Sequence, residues 1–273
     1  PVCNFFPVFL IFLTTISIIQ NPKAIPMQVS AITVRCSNAI AYFPATYENH
    51  IKFAFLPQMG FWGMKQYTAP NVSAWFEQIR KNQVTDVKLL CPCSVEDRGL
   101  LGFSNTTQSS ILCFHRNGKV TYFVANWKFS SVRKKWNILY SEHELSDPPS
   151  GKPQFENNTD LFREVLLSIR ELAVKIECEN FARVFSSAID FLDGSGEYPD
   201  RRKFGLELPQ IPQKNLQIFE AASMADVFGG MGSWNDSPRY MAHEKGLDKE
   251  YEALSDDLLK NIRLAILYAI NEW

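Results

Sequence analysis

Apolar positions repeat with two different periods along this chain, and the change falls near its middle. In the first part they occur in short runs. Val29 to Val34 and Ile51 to Leu56 read as strands, and so does Val84 to Cys91, which Pro92 ends. Between them, the segment Asn71 to Arg80 opens with a capping residue and places Trp75, Phe76 and Ile79 on one helical face, which predicts a short helix among strands. The run Ile111 to Val124 carries Asn117-Gly118 between alternating apolar residues, a strong short-range signal for a β-hairpin, and a type I′ turn is the expected connection. Trp136 to Tyr140 supplies a third strand, so a three-stranded antiparallel meander is predicted.

Residues 146–156 begin Ser-Asp-Pro-Pro-Ser-Gly-Lys-Pro, rich in turn formers and poor in apolar side chains, and read as a linker. Beyond them the period becomes helical. Phe162, Val165, Leu166, Ile169, Leu172, Ala173 and Ile176 form one stripe, with Arg163, Glu164, Arg170 and Glu171 on other faces. Phe181, Val184, Phe185, Ala188 and Leu192 continue the pattern until Gly194 and Gly196 stop it. Leu216 to Phe228 favours helix. A last helix carries Tyr251, Leu254, Leu258, Ile262, Ala265, Ile266 and Ala269, with Ser255 as its expected cap. The fold class is therefore α+β. An apolar leader or upstream segment (1–26) precedes a mixed β-rich domain (27–145), the linker (146–156) and a helical domain (157–273).

Within the helical part lies Phe228-Gly229-Gly230-Met231-Gly232-Ser233-Trp234-Asn235-Asp236. So many glycines mark a loop of specified geometry, and Gly229 or Gly230 is placed for the left-handed residue after a helix. Asn235 or Asp236 suits the cap of the next helix, with Pro238 in its first turn. A phosphate cradle would leave a strand, not a helix, and would carry Lys followed by Ser or Thr, which this loop lacks. The simplest role is a rigid interhelical corner plugged by Trp234. As a binding surface, the loop would present Met231, Trp234, Asn235 and Asp236.

The run Ala225 to Asp236 resembles the hallmark of a family of small bacterial helical proteins that carry Gly-Gly-Met-Gly-Ser-aromatic-Asn-Asp late in the chain and have no established chemistry. The resemblance covers about residues 156–273 and leaves the β-rich half uncovered. Some proteins of this kind accompany toxins, so the resemblance implies a bacterial interaction protein with an immunity-like, toxin-neutralising role. Glu250, Glu252, Asp256 and Asp257 would suit a protein partner with a basic surface, although carboxylates near a helix start also serve its dipole.

Composition narrows the field without naming a chemistry. The 273 residues are 46% hydrophobic and 21% charged, which is globular, and the 13% aromatic content, with 21 Phe, predicts a well-filled core. With 28 basic and 29 acidic residues interspersed, there is no basic stripe to neutralise phosphates, which argues against nucleic acid as a partner.

Residues Pro1 to Asn21 are uncharged and largely apolar. They read either as a leader or membrane anchor, or as sequence upstream of a start at Met27, which would make the protein cytoplasmic. Cys3, Cys36, Cys91, Cys93, Cys113 and Cys178 become an odd set if Cys3 is removed, which favours free thiols.

Cys91-Pro92-Cys93 with Cys113 and His115 has zinc-ligand chemistry, but structural zinc sites favour wider cysteine spacing, and neither a metal nor a cofactor is expected. The same cysteines, with His50, His115, His143 or His243 as base, define an alternative: a hydrolytic enzyme of unknown class. Glu142-His143-Glu144 reads as a solvated strand edge. The leading expectation is a non-enzymatic bacterial protein-interaction module. A membrane-anchored or exported protein is a further alternative.

Overall fold

A computed structural model describes residues 51–60, 63–102, 109–132, 135–197, 212–229 and 232–273. The strand expected over 29–34 and the two readings of residues 1–26 lie outside them. Strands β1 (Ile51–Ala54), β4 (Thr68–Ala69), β5 (Val84–Leu90), β6 (Ser110–His115), β7 (Val120–Ser130) and β8 (Lys135–Glu144) form one sheet in the order β4-β1-β8-β7-β6-β5. Among the described residues, strands β2 (Gln58–Gly60) and β3 (Gly63–Lys65) pair only with each other. Helix α1 (Val72–Lys81) and a 3-10 turn (Arg98–Gly102) interrupt the strands. The second half is helical, with α2 (Thr159–Lys175), α3 (Glu179–Leu192), α4 (Gln213–Ala225), α5 (Ser237–Glu244) and α6 (Asp248–Asn271). The fold is α+β, with strands first and helices after.

The predicted meander is β6-β7-β8, antiparallel throughout. Its first connection is not a type I′ turn. The Gly118 N–H donates to the His115 carbonyl (3.1 Å), and Gly118 has a positive φ while Asn117 does not. This is a type I turn closed by a left-handed glycine, which takes Arg116 into the loop and sets Lys119 opposite His115, whose N–H donates to the Lys119 carbonyl (2.9 Å). The meander is widened by β1, which lies parallel to β8 with Ile51 opposite Ile138.

Helix α1 starts as its sequence predicts, with the Asn71 side chain accepting from the Ala74 N–H (2.8 Å). It buries Val72, Trp75 and Ile79 against the sheet, leaving Phe76 half-buried. Phe53 is stacked between Trp75 (4.7 Å) and Tyr140 (4.9 Å), and Phe123 meets Phe53 and Trp75 edge-on. Offset and edge-to-face contacts of this kind add to what burial alone contributes.

Helix α2 buries the predicted stripe from Phe162 to Ala173, and Ile176 is buried just past its end. In α3 the buried face is rotated from the prediction: Ala182, Phe185, Ala188, Ile189 and Phe191 are buried, while Phe181, Val184 and Leu192 are half-buried. The helix carries apolar residues on more than one face, so periodicity alone does not select the deepest one. Helix α4 stops at Ala225, short of Phe228, and Asp226 caps it without a left-handed residue. Helix α6 begins at Asp248, so Ser255 is an interior residue of that helix, fully buried, and not its cap.

A single apolar cluster runs from Ile51 in β1 to Ile270 in α6, so sheet and helices share a core. The other sheet face holds a small cluster of Leu112, Phe114 and Val120. Strand β5 is a sheet edge, and side chains meet the outward peptide groups at Val87 and Leu89. The Val87 N–H donates to Asp86 Oδ1 (2.8 Å), and Lys152 pairs with Asp86 (2.6 Å). Further along, Asn271 of α6 accepts from the Leu89 N–H (2.7 Å) and donates to the Leu89 carbonyl (2.9 Å). Side chains that cover an edge in this way remove a template for pairing with another chain. Among the described residues no helix is long and apolar enough to cross a membrane.

Candidate functional site

The corner between α4 and α5 is built around Trp234, which is fully buried. Its ring stacks on Tyr251 (5.5 Å) and meets Phe181 and Phe185 edge-on (5.2 and 5.3 Å), so α3, the corner and α6 close on one indole. Both polar ends of the residue are engaged. The indole Nε1 donates to Ser255 Oγ (2.8 Å), and the Tyr251 hydroxyl donates to the Trp234 carbonyl (2.6 Å). Gly232 sits at φ +79 with open space where a Cβ would be, so glycine is required there by backbone conformation and not by crowding.

Asp236 stands at the N-cap position of α5, but its side chain caps no helix N–H. The carboxylate turns back and accepts from the N–H groups of Gly232 (2.6 Å) and Ser233 (3.1 Å), tying the loop to itself. Pro238 lies in the first turn of α5, as its sequence position predicts. Asn235 Nδ2 donates to the Arg98 carbonyl (3.1 Å), which joins the corner to the 3-10 turn of the first half. Met231 lies outside the described residues.

Arg98 continues this strut onto α6, where its guanidinium bridges Glu252 and Asp256. Arg239 of α5 adds to Glu252 (3.2 Å), and Lys175 pairs with Glu250 (2.9 Å). The acidic group expected to face a basic partner is thus largely neutralised from within. Asp256 and Asp257 also lie well inside α6, away from its first turn, so the helix dipole does not account for them.

The described cysteines and histidines do not assemble a catalytic or zinc-binding group. Cys113 lies inside the sheet opposite Val87, well up the strand from Cys91 and Cys93, which follow β5. The His115 ring is spent on the Asn82 carbonyl (3.0 Å) and Thr121 Oγ1 (3.1 Å). His143 stacks on Tyr122, and His243 pairs with Asp248 (2.9 Å). His50, Cys3 and Cys36 lie outside the described residues. Glu142-His143-Glu144 is not on an edge strand of the sheet, because β8 is central; it is the end of β8 that β1 does not reach. Glu142 there accepts from the Leu56 N–H (2.9 Å), and Glu144 pairs with Lys119 (2.8 Å). Among the described residues no group of three or more His, Cys, Asp or Glu is placed to hold a metal ion.

Burial also opposes thiolate formation. It pushes Cys91 up to about 12 against the partial relief given by Arg263, and it raises Cys93, Cys113 and Cys178 as well. These thiols stay neutral in the folded protein while unfolded ones ionise from about pH 9. Their contribution to stability is therefore whole below pH 9 and is lost as pH rises toward the folded value of Cys91 at about 12. We expect denaturant midpoints to fall over this window, and Cys91→Ala to make the fall shallower. An unchanged slope in the variant would show that Cys91 does not carry it.

One surface feature escapes the sequence periodicity. The β2–β3 hairpin projects from the sheet, and all of its described residues are exposed. Met59 and Met64 face each other across it at 80% and 64% exposure. Its base is fixed: the Phe55 N–H donates to the Tyr67 carbonyl (3.0 Å), Gln66 Nε2 donates to the Phe55 carbonyl (2.9 Å), and Phe55 itself is buried. The signal that marks it in sequence is the pair Met59-Gly60 and Gly63-Met64, too short to register as strands. Comparison with protein-family models, with curated proteins and with solved structures finds no match for this chain.

Proposed function

We propose that the protein is a binding module that docks an apolar cleft of a partner protein through the β2–β3 arm. The observation that carries this reading is the pair Met59 and Met64, held in register on a hairpin whose described strand residues are all exposed. A two-stranded hairpin is marginal in water without a packed face. Methionine is unbranched and polarisable and adapts to irregular surfaces, which is why it recurs at binding faces. The rigid base at Phe55 and Tyr67 limits the entropy lost when the arm is held by a partner.

A role against a toxin, implied by the glycine-motif resemblance, remains one form of this proposal. The chemistry of contact differs from a carboxylate patch meeting a basic surface. Arg98, Arg239 and Lys175 already occupy Glu252, Asp256 and Glu250, and a basic partner would have to displace them. An enzyme built on the Cys and His residues has less support, because burial disfavours the thiolates and the described imidazoles are engaged elsewhere.

The test is a Met59→Asp, Met64→Asp double variant. Both sites are exposed, so stability should change by no more than about 0.5 kcal/mol per site. A partner that forms a stoichiometric complex with the wild-type chain should bind the variant at least ~10-fold more weakly, since buried carboxylates replace buried thioethers. Photo-reactive methionine at 59 and 64 should label that partner. Equal affinity for both proteins would overturn the arm as the docking element.

A further inference from the structure

Met59 and Met64 are directly opposite residues of an antiparallel pair, flanked by Gln58 opposite Lys65 and Gly60 opposite Gly63. Opposite residues of such a pair hold their Cβ atoms about 4.5–5.5 Å apart on one face, so the two thioethers share one side of the arm. At 80% and 64% exposure both stand open to solvent. The other described methionines do not: Met224 of α4 and Met241 of α5 are half-buried and packed against the core. Met27 lies, like Met231, outside the described residues.

A thioether in water is a target for two-electron oxidants, and its susceptibility follows its exposure. Cysteines compete for the same oxidants, but as thiolates. The described cysteines are poor competitors. Cys113 is buried, Cys91, Cys93 and Cys178 are half-buried, and burial holds all four thiols neutral. Among the described sulfurs, the fold thus offers the pair on the arm first.

Resting on the docking role proposed for the arm, we infer that Met59 and Met64 form a reversible redox switch, in which a peroxide converts both thioethers to sulfoxides and so releases the arm from its apolar cleft. At each sulfur a lone pair forms the S–O bond as the peroxide O–O bond breaks. With hydrogen peroxide, the proton of the transferred oxygen passes to the other oxygen, which leaves as water. The reverse step uses two thiols of a methionine sulfoxide reductase, which become a disulfide while the sulfoxide oxygen leaves as water. On the free arm a sulfoxide oxygen is hydrated and costs the fold little. In an apolar cleft it is a buried acceptor without a donor, and two of them enter on the same face. The bonds of Phe55 with Tyr67 and Gln66 lie outside the pair, so the arm stays in place after oxidation and only its contact surface changes.

The experiment oxidises the reduced, folded full-length chain with hydrogen peroxide, maps oxygen addition by peptide mass spectrometry, and uses a phenyl-agarose column as a stand-in for the apolar cleft. Met59 and Met64 should each gain one oxygen at least ~10-fold faster than Met224 and Met241, in line with their exposure. Retention should fall as they are oxidised and return after treatment with methionine sulfoxide reductases of both stereochemical classes, while the urea midpoint stays unchanged. Met59→Leu, Met64→Leu carries an apolar arm that cannot be oxidised, so peroxide should not shift its retention. A shift equal to that of the wild type would place the sensitive residue elsewhere and overturn the switch. Oxidation spread evenly over the methionines, or oxidation at 59 and 64 that leaves retention unaltered, would overturn it as well. Met59→Asp, Met64→Asp separates the switch from the docking role. If this variant leaves the column early and the oxidised wild type does not, the docking arm stands and the switch falls; if it is retained like the wild type, the arm is not the apolar contact and both fall.

Discussion

Trp234→Ala is expected to lower folding stability by about 3–5 kcal/mol, the range for emptying a buried aromatic site. The side chain is fully buried against Phe181, Phe185 and Tyr251, so the space it leaves is lined by three rings from two packed helices that cannot all close inward. A second loss is polar. Ser255 Oγ is completely buried, and the indole N–H that donates to it disappears. Trp234→Phe separates the two contributions, because it keeps a ring and drops the N–H; about 0.5–1.5 kcal/mol is expected for the lost indole–serine hydrogen bond. Urea denaturation followed by far-UV circular dichroism measures both. A loss below about 1 kcal/mol for the alanine variant would mean that the corner is held by its backbone ties to Asp236 and Asn235 and not by the indole.

Asn271→Ala should cost about 2–4 kcal/mol, since one side chain satisfies both peptide groups of Leu89 and each buried group left unpaired costs about 1–3 kcal/mol. The same substitution exposes a sheet edge. Lys88 remains nearby, held by the Asn271 carbonyl (2.5 Å) and Glu272 (3.6 Å), but neither contact reaches the Leu89 peptide. We therefore expect the variant to associate as concentration rises, seen by light scattering, where the wild-type chain does not. Asn271→Asp keeps an acceptor for the Leu89 N–H while setting a carboxylate against the Leu89 carbonyl, and should fall between the two. Unaltered stability and scattering in Asn271→Ala would show that α6 covers the edge by bulk alone.

How far the fold can be read from the sequence depends on how local its determinants are. Helix α2 is legible because Phe162, Val165, Ile169 and Ala173 fall on one face with charge opposite them. The hairpin at Asn117-Gly118 is legible because the turn residues sit between alternating apolar runs, although the turn itself takes a wider form. The start of α6 is misread because Ser255 mimics a cap, and only the three-dimensional neighbour Trp234 explains why a serine is buried there. Strand β1 shows its alternation but not its partner, since parallel pairing with β8 joins segments far apart in sequence. The candidate sites were harder still. Arg98 has no sequence mark at all. The Met59–Met64 pair lies in strands too short to carry a period. Each acquires meaning from what the fold brings beside it.

The position of β1 between β4 and β8 also orders the events by which the protein assembles. Strands β5, β6 and β7 are joined by near-neighbour antiparallel pairings and can zip together as soon as they are made. Strand β1, made first among them, has its long partner only once Ile138 to Ser141 have been synthesised, and until then Phe53 has no Tyr140 to stack on. Closing so large a loop is slow compared with local pairing. The aromatic centre of the protein is therefore completed late: β4 and Trp75 cover one side of Phe53 early, and the side that Tyr140 stacks on waits for β8.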